Sequence, residues 1–189
     1  METGEALNGL AGLVGRFADL IPPFQAMIVA ACFLLGIIMA INSIRGFARA
    51  SETNAAGQGS LAGASVWQPT VTLIIAVLLV SLSSAISAFL VSLFQQEETV
   101  AASEIFAYAS EMLQPLDHEQ SRTVVIALLR IVQFIGLIGF IRGLFLMNKS
   151  AYRGPYSGLF GQGFTHVIGG VLAMNIVQFL GMIEALVIE

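Results

Sequence analysis

The sequence predicts an all-α membrane protein with four transmembrane helices arranged as two tandem hairpins. It adds amphipathic surface helices near the N-terminus and in the middle loop. Three observations carry this. First, the chain is 57% hydrophobic and 11% charged, with a mean hydropathy of +0.86; ordinary soluble domains carry about 25% charged residues. A chain of 189 residues has too much surface for its volume to hide that much apolar material from water. Second, the apolar residues gather into four runs, each about as long as a membrane-crossing helix. Third, the pair Arg-Gly closes two of those runs, at Arg45-Gly46 and at Arg142-Gly143, 97 positions apart.

Residues 1–21 open with a helical repeat of apolar positions at Leu7, Leu10, Val14, Phe17 and Ile21. Gly9, Gly12 and Gly15 weaken this repeat, and Pro22-Pro23 is expected to part it from the first apolar run. The apolar runs are 24–43, 71–94, 124–147 and 164–188. At about 1.5 Å per residue, some 20 residues cross a hydrocarbon core of about 30 Å. Helices are the expected form, because each backbone amide in lipid must be paired within its own segment. The runs lack the strict alternation of barrel strands. The first does not read as a secretory signal, since acidic Glu2 and Glu5 precede it instead of a basic region. Residues 24–94 then form a first hairpin, 95–123 an intervening acidic segment and 124–189 a second hairpin, within one membrane domain.

The connections differ in charge. Residues 45–66 hold Arg45 and Arg49 against Glu52, and residues 142–163 hold Arg142, Lys149 and Arg153 against no acid. Residues 95–123 hold Glu97, Glu98, Glu104, Glu111, Asp117 and Glu119 against Arg122 alone. Basic short loops stay in the cytoplasm. The expected location is therefore a bacterial inner membrane, with both basic loops cytoplasmic and the termini and acidic segment periplasmic. Within that segment Ile105, Tyr108, Ala109, Met112, Leu113 and Leu116 share one helical face. Such a helix can lie on the membrane or dock on a partner protein, and both readings stand.

The Arg-Gly phrase is part of a wider repeat. At the offset of 97, Gly57 falls on Gly154, Ser60 on Ser157 and Trp67 on Phe164. Gly-rich loops match one another easily, so duplication and coincidence are both open.

Nothing in the chain assembles into an enzyme. His118 and His166 are the only histidines and fall on opposite sides of the expected membrane. The single Cys32 excludes an internal disulfide or a cysteine metal cluster and reads as a small buried hydrophobe. Eight scattered basic residues do not make a nucleic-acid surface. Small residues instead recur every four positions: Ser84, Ala88 and Ser92; Ser81 and Ala85; Gly139 and Gly143; Gly169 and Ala173. That spacing lets helix backbones approach closely in lipid, though it could also line a path. Polar residues within the spans are Asn42, Arg130, Gln133, Asn175, Gln178 and Glu184. Arg130 and Glu184 both fall near the outer face, so Arg130 either pairs with Glu184 or snorkels to the headgroups.

The fourth run reads GFTHVIGGVLAMNIVQFLG. This Phe-Thr-His-x-Ile-Gly-Gly start and Met-Asn-Ile continuation resemble the IcmC/DotE and TraQ family, small inner-membrane proteins of type IVB secretion and IncI-like conjugation systems. The likeness is clearest over residues 134–180, at Phe164, Thr165, His166, Ile168, Gly169, Gly170 and Asn175. It implies a structural part of a machine that moves protein or DNA between cells, working by assembly with itself or with other subunits of that machine. A hairpin with a basic cytoplasmic turn is also similar to VirB-type conjugative pilins. Two in tandem would make a pilin-like subunit of a lipid-associated filament at the cell surface. A small channel or transporter is the third reading. The expected partners are membrane lipid and protein subunits, and no cofactor is expected beyond, at most, a bound phospholipid.

Overall fold

The computed structural model describes residues 2–55, 66–94, 119–153 and 158–176, with residues 179 and 183. Its elements are all helical: α1 Glu2–Ala55, α2 Trp67–Val80, α3 Leu82–Phe94, α4 Glu119–Arg153 and α5 Leu159–Met174. The all-α expectation is met among the described residues. The segment 95–118, the loops around Gly57 and Gly154, and Gln178 and Glu184 lie outside them.

Two helices are long and apolar enough to cross a membrane. The stretches are Gly12–Glu52 in α1 and Val124–Arg153 in α4, each with a mean hydropathy of 2.5 in its best window. Only 17% and 28% of those windows are buried, which separates them from the core helices of a soluble fold. By itself α2, with 14 residues, spans about 21 Å, short of a hydrocarbon core; α5 has 16 described residues.

Several boundaries differ from the sequence expectation, each for a local reason. α1 runs unbroken through Pro22-Pro23. Each proline withdraws one N–H from the helix ladder. Both rings sit on the exposed side, however, while Ala18, Ile21 and Gln25 are buried on the other, so packing carries the helix across. Residues 2–21 thus begin α1 and are not set off from the first apolar run.

The Arg-Gly pairs do not end helices either. α1 continues past Arg45-Gly46 to Ala55, and α4 past Arg142-Gly143 to Arg153. The basic residues therefore ride on helix and not on loops. α4 is described as far as Arg153, ahead of Gly154-Pro155 in the sequence. α5 begins at Leu159, five residues ahead of Phe164, behind Gly158 in a left-handed conformation (φ 65°) that glycine adopts without a Cβ clash. FTHVIGG therefore lies inside α5 and not at its start.

The second run is interrupted at Ser81, where φ is −103° and ψ 42°. The Ser81 backbone N–H and its Oγ both donate to the Val77 carbonyl, at 2.9 and 2.7 Å. A hydroxyl that bonds back to the carbonyl four residues earlier bends a helix.

The helices pack as two antiparallel pairs, α1 with α2 and α4 with α5, and α4 also packs on α1 and α2. Glycine sets the closest approaches. A Cβ placed on Gly143 would lie 2.7 Å from the Gly163 carbonyl oxygen and 2.7 Å from the Val167 nitrogen. One on Gly170 would lie 2.6 Å from the Phe140 nitrogen, and one on Gly136 2.8 Å from the Gly170 oxygen. In the first pair, a Cβ on Gly36 would lie 2.9 Å from the Ala76 oxygen, and one on Gly46 3.0 Å from Pro69 Cβ. The α4 and α5 glycines are seven residues apart on each helix, at 136 and 143 and at 163 and 170. That spacing holds two helices on one seam over successive heptads. Between the pairs lies one apolar core: Ile75, Leu79, Leu82 and Ile86 meet Leu137, Phe140, Leu144, Val167, Val171 and Met174.

Gly136→Val and Gly143→Val should each destabilise the folded chain by about 1–3 kcal/mol, the usual range for forcing bulk into a packed seam. Gly169→Val, where a Cβ meets nothing within 4 Å, should be neutral. Thermal unfolding in detergent followed by circular dichroism measures this; an undiminished melting temperature in both seam variants would refute the close approach.

Candidate helix-contact surfaces

The interior holds small polar groups beside its apolar core, and large apolar side chains also cover the exterior. Gln25, Ser43, Thr72, Ser87, Gln133 and Ser150 are buried, whereas Met27, Leu34, Ile38, Ile44, Ile74 and Ile135 are among the exposed large residues. In water this arrangement would expose extensive apolar patches. In lipid it places each group in its better solvent.

Two of the buried polar groups join helices. Ser43 Oγ donates to the Pro69 carbonyl at 2.5 Å, which ties α1 to the first turn of α2. A proline is tolerated in that first turn because its missing N–H is not needed there. Thr72 Oγ1 donates to Asn148 Oδ1 at 2.9 Å, linking α2 to α4 and hence the two pairs. These contacts bring the C-terminal ends of α1 and α4 to one end of the bundle. Arg45, Arg49, Arg142, Lys149 and Arg153 are all exposed there, and Arg153, in the last turn of α4, also complements its helix dipole.

The residues singled out in the fourth run separate into different environments. Phe164 and Thr165 are exposed and His166 is half-buried. Thr165 Oγ1 donates to the Gly161 carbonyl at 2.9 Å. His166 Nδ1 lies 2.9 Å from the Gln162 carbonyl oxygen, within hydrogen-bond distance. Both polar groups are thus satisfied within their own helix. Gly169 faces open space, while Gly170 is buried against Phe140. Asn175 sits where the regular helix ends, its N–H bonding the Val171 carbonyl at 3.1 Å. Gly143 belongs to the α4–α5 seam, and Gly139 borders it only loosely, since a Cβ added there would lie 3.9 Å from the Gly170 Cα. Ser84, Ala88 and Ser92 are all exposed on α3. Arg130 is half-buried on α4, and Glu184 lies outside the described residues.

Sequence reasoning missed Gly36, Gly136 and Gly163, and the Ser43–Pro69 and Thr72–Asn148 contacts. A search for four-residue spacing overlooked the seven-residue one at 136 and 143, at 163 and 170, and at the buried Gly36, Ser43 and Ala50. Among the described residues, no group of three His, Cys, Asp or Glu side chains could hold a metal.

No protein-family model matches the chain, no curated protein matches it, and no solved structure matches its fold. The class that the fold defines is accordingly a structural one: an all-helical chain with two helices able to cross a membrane and small-residue contacts between helices.

Replacing Thr72 with Val and Asn148 with Ala, singly and together, should give a coupling energy of about 0.6 kcal/mol, the average for polar pairs between membrane helices. A double-mutant cycle on detergent unfolding measures it, and simple additivity would show that the contact does not link the pairs.

Proposed function

We propose that this chain is an integral inner-membrane component of a type IVB secretion or conjugative transfer apparatus, working by assembly rather than catalysis. Its helices form four spans in two tandem hairpins, with the basic ends cytoplasmic and both termini periplasmic. The observation that carries the membrane reading is the apolar exterior of α1 and α4 around buried serine, threonine and glutamine. α2 and α3 act as one span bent at Ser81, and the described residues 176, 179 and 183, beyond the end of α5, are also helical. The resemblance of residues 134–180 to the IcmC/DotE and TraQ family supplies the machine. The dispersion of polar groups and the prevalence of small-residue contacts favour an assembling part over a transporter, which concentrates polar groups at mid-membrane.

A pilin-like reading draws support from one further feature. Moved 97 positions along the chain, the contact of Gly46 with Pro69 falls at Gly143 and His166, and Gly143 packs between Gly163 and Val167. The two pairs share one register, as tandem pilin-like hairpins would.

Two measurements test these readings. In a Cys32→Ser background, cysteines at Ser60 and Ser157 should resist an impermeant thiol reagent in intact cells, and one at Ser103 should react. The reverse pattern would invert the topology. Deleting the gene should abolish cargo transfer between cells while leaving growth intact, and Gly169→Leu should lower transfer at least tenfold while the protein stays inserted. Unimpaired transfer by the deletion strain would overturn the assignment, and recovery of the chain in sheared surface filaments would favour the pilin-like reading.

A further inference from the structure

We propose that the groove between α1 and α3 is a self-association surface, which receives α3 from a second copy of this chain in a reciprocal two-fold contact. The proposal rests on the membrane reading above and gives the assembling role a specific surface.

The groove exists because α3 turns away while α1 runs straight on. Past the Ser81 bend, Leu82 and Ile86 are buried in the core. The Phe89 ring meets Phe140 edge-on, with centroids 5.7 Å apart at 75°. What opens is an apolar groove of about 820 Å³, walled by Pro22, Ala26 and Ala30 on one side and by Ser81 and Ser84 at the bend.

The register of the existing α1–α2 interface says what this groove would accept. Gly46 faces Pro69, and Gly36 faces Ala76 and Val80. Continued antiparallel toward the N-terminus of α1, the same register sets Ala30 opposite Ser84, Ala26 opposite Ala88 and Pro22 opposite Ser92. All six of these residues are exposed. The interface therefore has a matched continuation on both helices, with α1 and α3 parted by the bend. In lipid, such narrow surfaces gain from close helix contact, because no hydrophobic force acts between helices there.

A second copy fits better than the chain's own α3. For its own α3 to swing back, Leu82 and Ile86 must leave the core and Phe89 must leave Phe140, with a cavity left behind. The α3 of a neighbour needs no repacking, since its Ser84, Ala88 and Ser92 already face outward. A two-fold axis along the membrane normal keeps these residues at one depth in both copies. It also preserves the antiparallel direction of each α1–α3 contact and makes the interface self-complementary.

The test is disulfide trapping in native membranes, in a Cys32→Ser background. Two differently tagged chains, one with Ala26→Cys and one with Ala88→Cys, are co-expressed and oxidised. The expected product is a mixed dimer at least tenfold above that of a control pair in which Ile135→Cys, on the exposed side of α4, replaces Ala26→Cys. Adding Ala30→Leu to the first chain should return the yield to the control level. A chain carrying both cysteines that closes only on itself would show that its own α3 fills the groove, and would overturn the proposal. So would absence of the mixed dimer from chains that resist alkaline carbonate extraction, with lipid or another protein then the occupant. Release of the chain by carbonate would sink the membrane reading itself.

Discussion

Close backbone approach between α4 and α5 is the constraint on which the rest of this structure depends. At Gly136, Gly143, Gly163 and Gly170 a single added carbon would meet backbone atoms at 2.6–2.8 Å, well inside van der Waals contact. A clash with backbone cannot be relieved by turning a side chain. Between helices in lipid, association draws on dispersion, and a gap of about 0.5–1 Å forfeits a quarter to a half of each contact. The seam must be tight, and only glycine makes it so. With the pair locked, Val167, Val171 and Met174 are presented beside Leu137, Phe140 and Leu144 as one apolar wall, against which α2 and α3 pack.

The distribution of polarity follows from the same solvent. A hydroxyl inside the bundle finds a carbonyl or an amide, as Ser43 and Thr72 do; a hydroxyl on the exposed side bonds within its own helix, as Thr165 does. Large side chains gain little by turning inward when the exterior is equally apolar, so isoleucine and leucine crowd the outside. Narrow faces decide which helices meet, and five exposed cations mark one end of the bundle.

Helix continuity shows how far residue type can mislead. Two consecutive prolines read as a boundary, yet α1 passes through them, because the face opposite the rings is held by packing. A serine in an apolar run reads as ordinary, yet Ser81 is where the second run bends. Its hydroxyl competes for a carbonyl that the helix already uses, and the apolar contacts of Leu82 and Ile86 draw α3 toward the other pair. In both places the outcome is set by which side of the helix is anchored.

Much of this protein is written in its sequence. Composition and run length determine that it is helical and suited to lipid, because backbone pairing and apolar content are local properties. The Arg-Gly repeat marks the basic ends, because arginine and lysine are costly to place in hydrocarbon whatever the fold. The spacing of small residues announces contacts between helices. Which contact each small residue makes was decided only by the tertiary structure. Gly169 and Gly170 are neighbours with the same side chain, yet an added Cβ would meet nothing within 4 Å at the first and a backbone nitrogen at 2.6 Å at the second. Successive residues on a helix point about 100° apart, and that rotation has meaning only once a partner helix stands on one side. The bend at Ser81, the passage through Pro22-Pro23 and the pairing of Thr72 with Asn148 belong to the same category. Thr72 and Asn148 lie far apart along the chain, and at Ser81 and Pro22-Pro23 the local signal is resolved only by packing on distant residues.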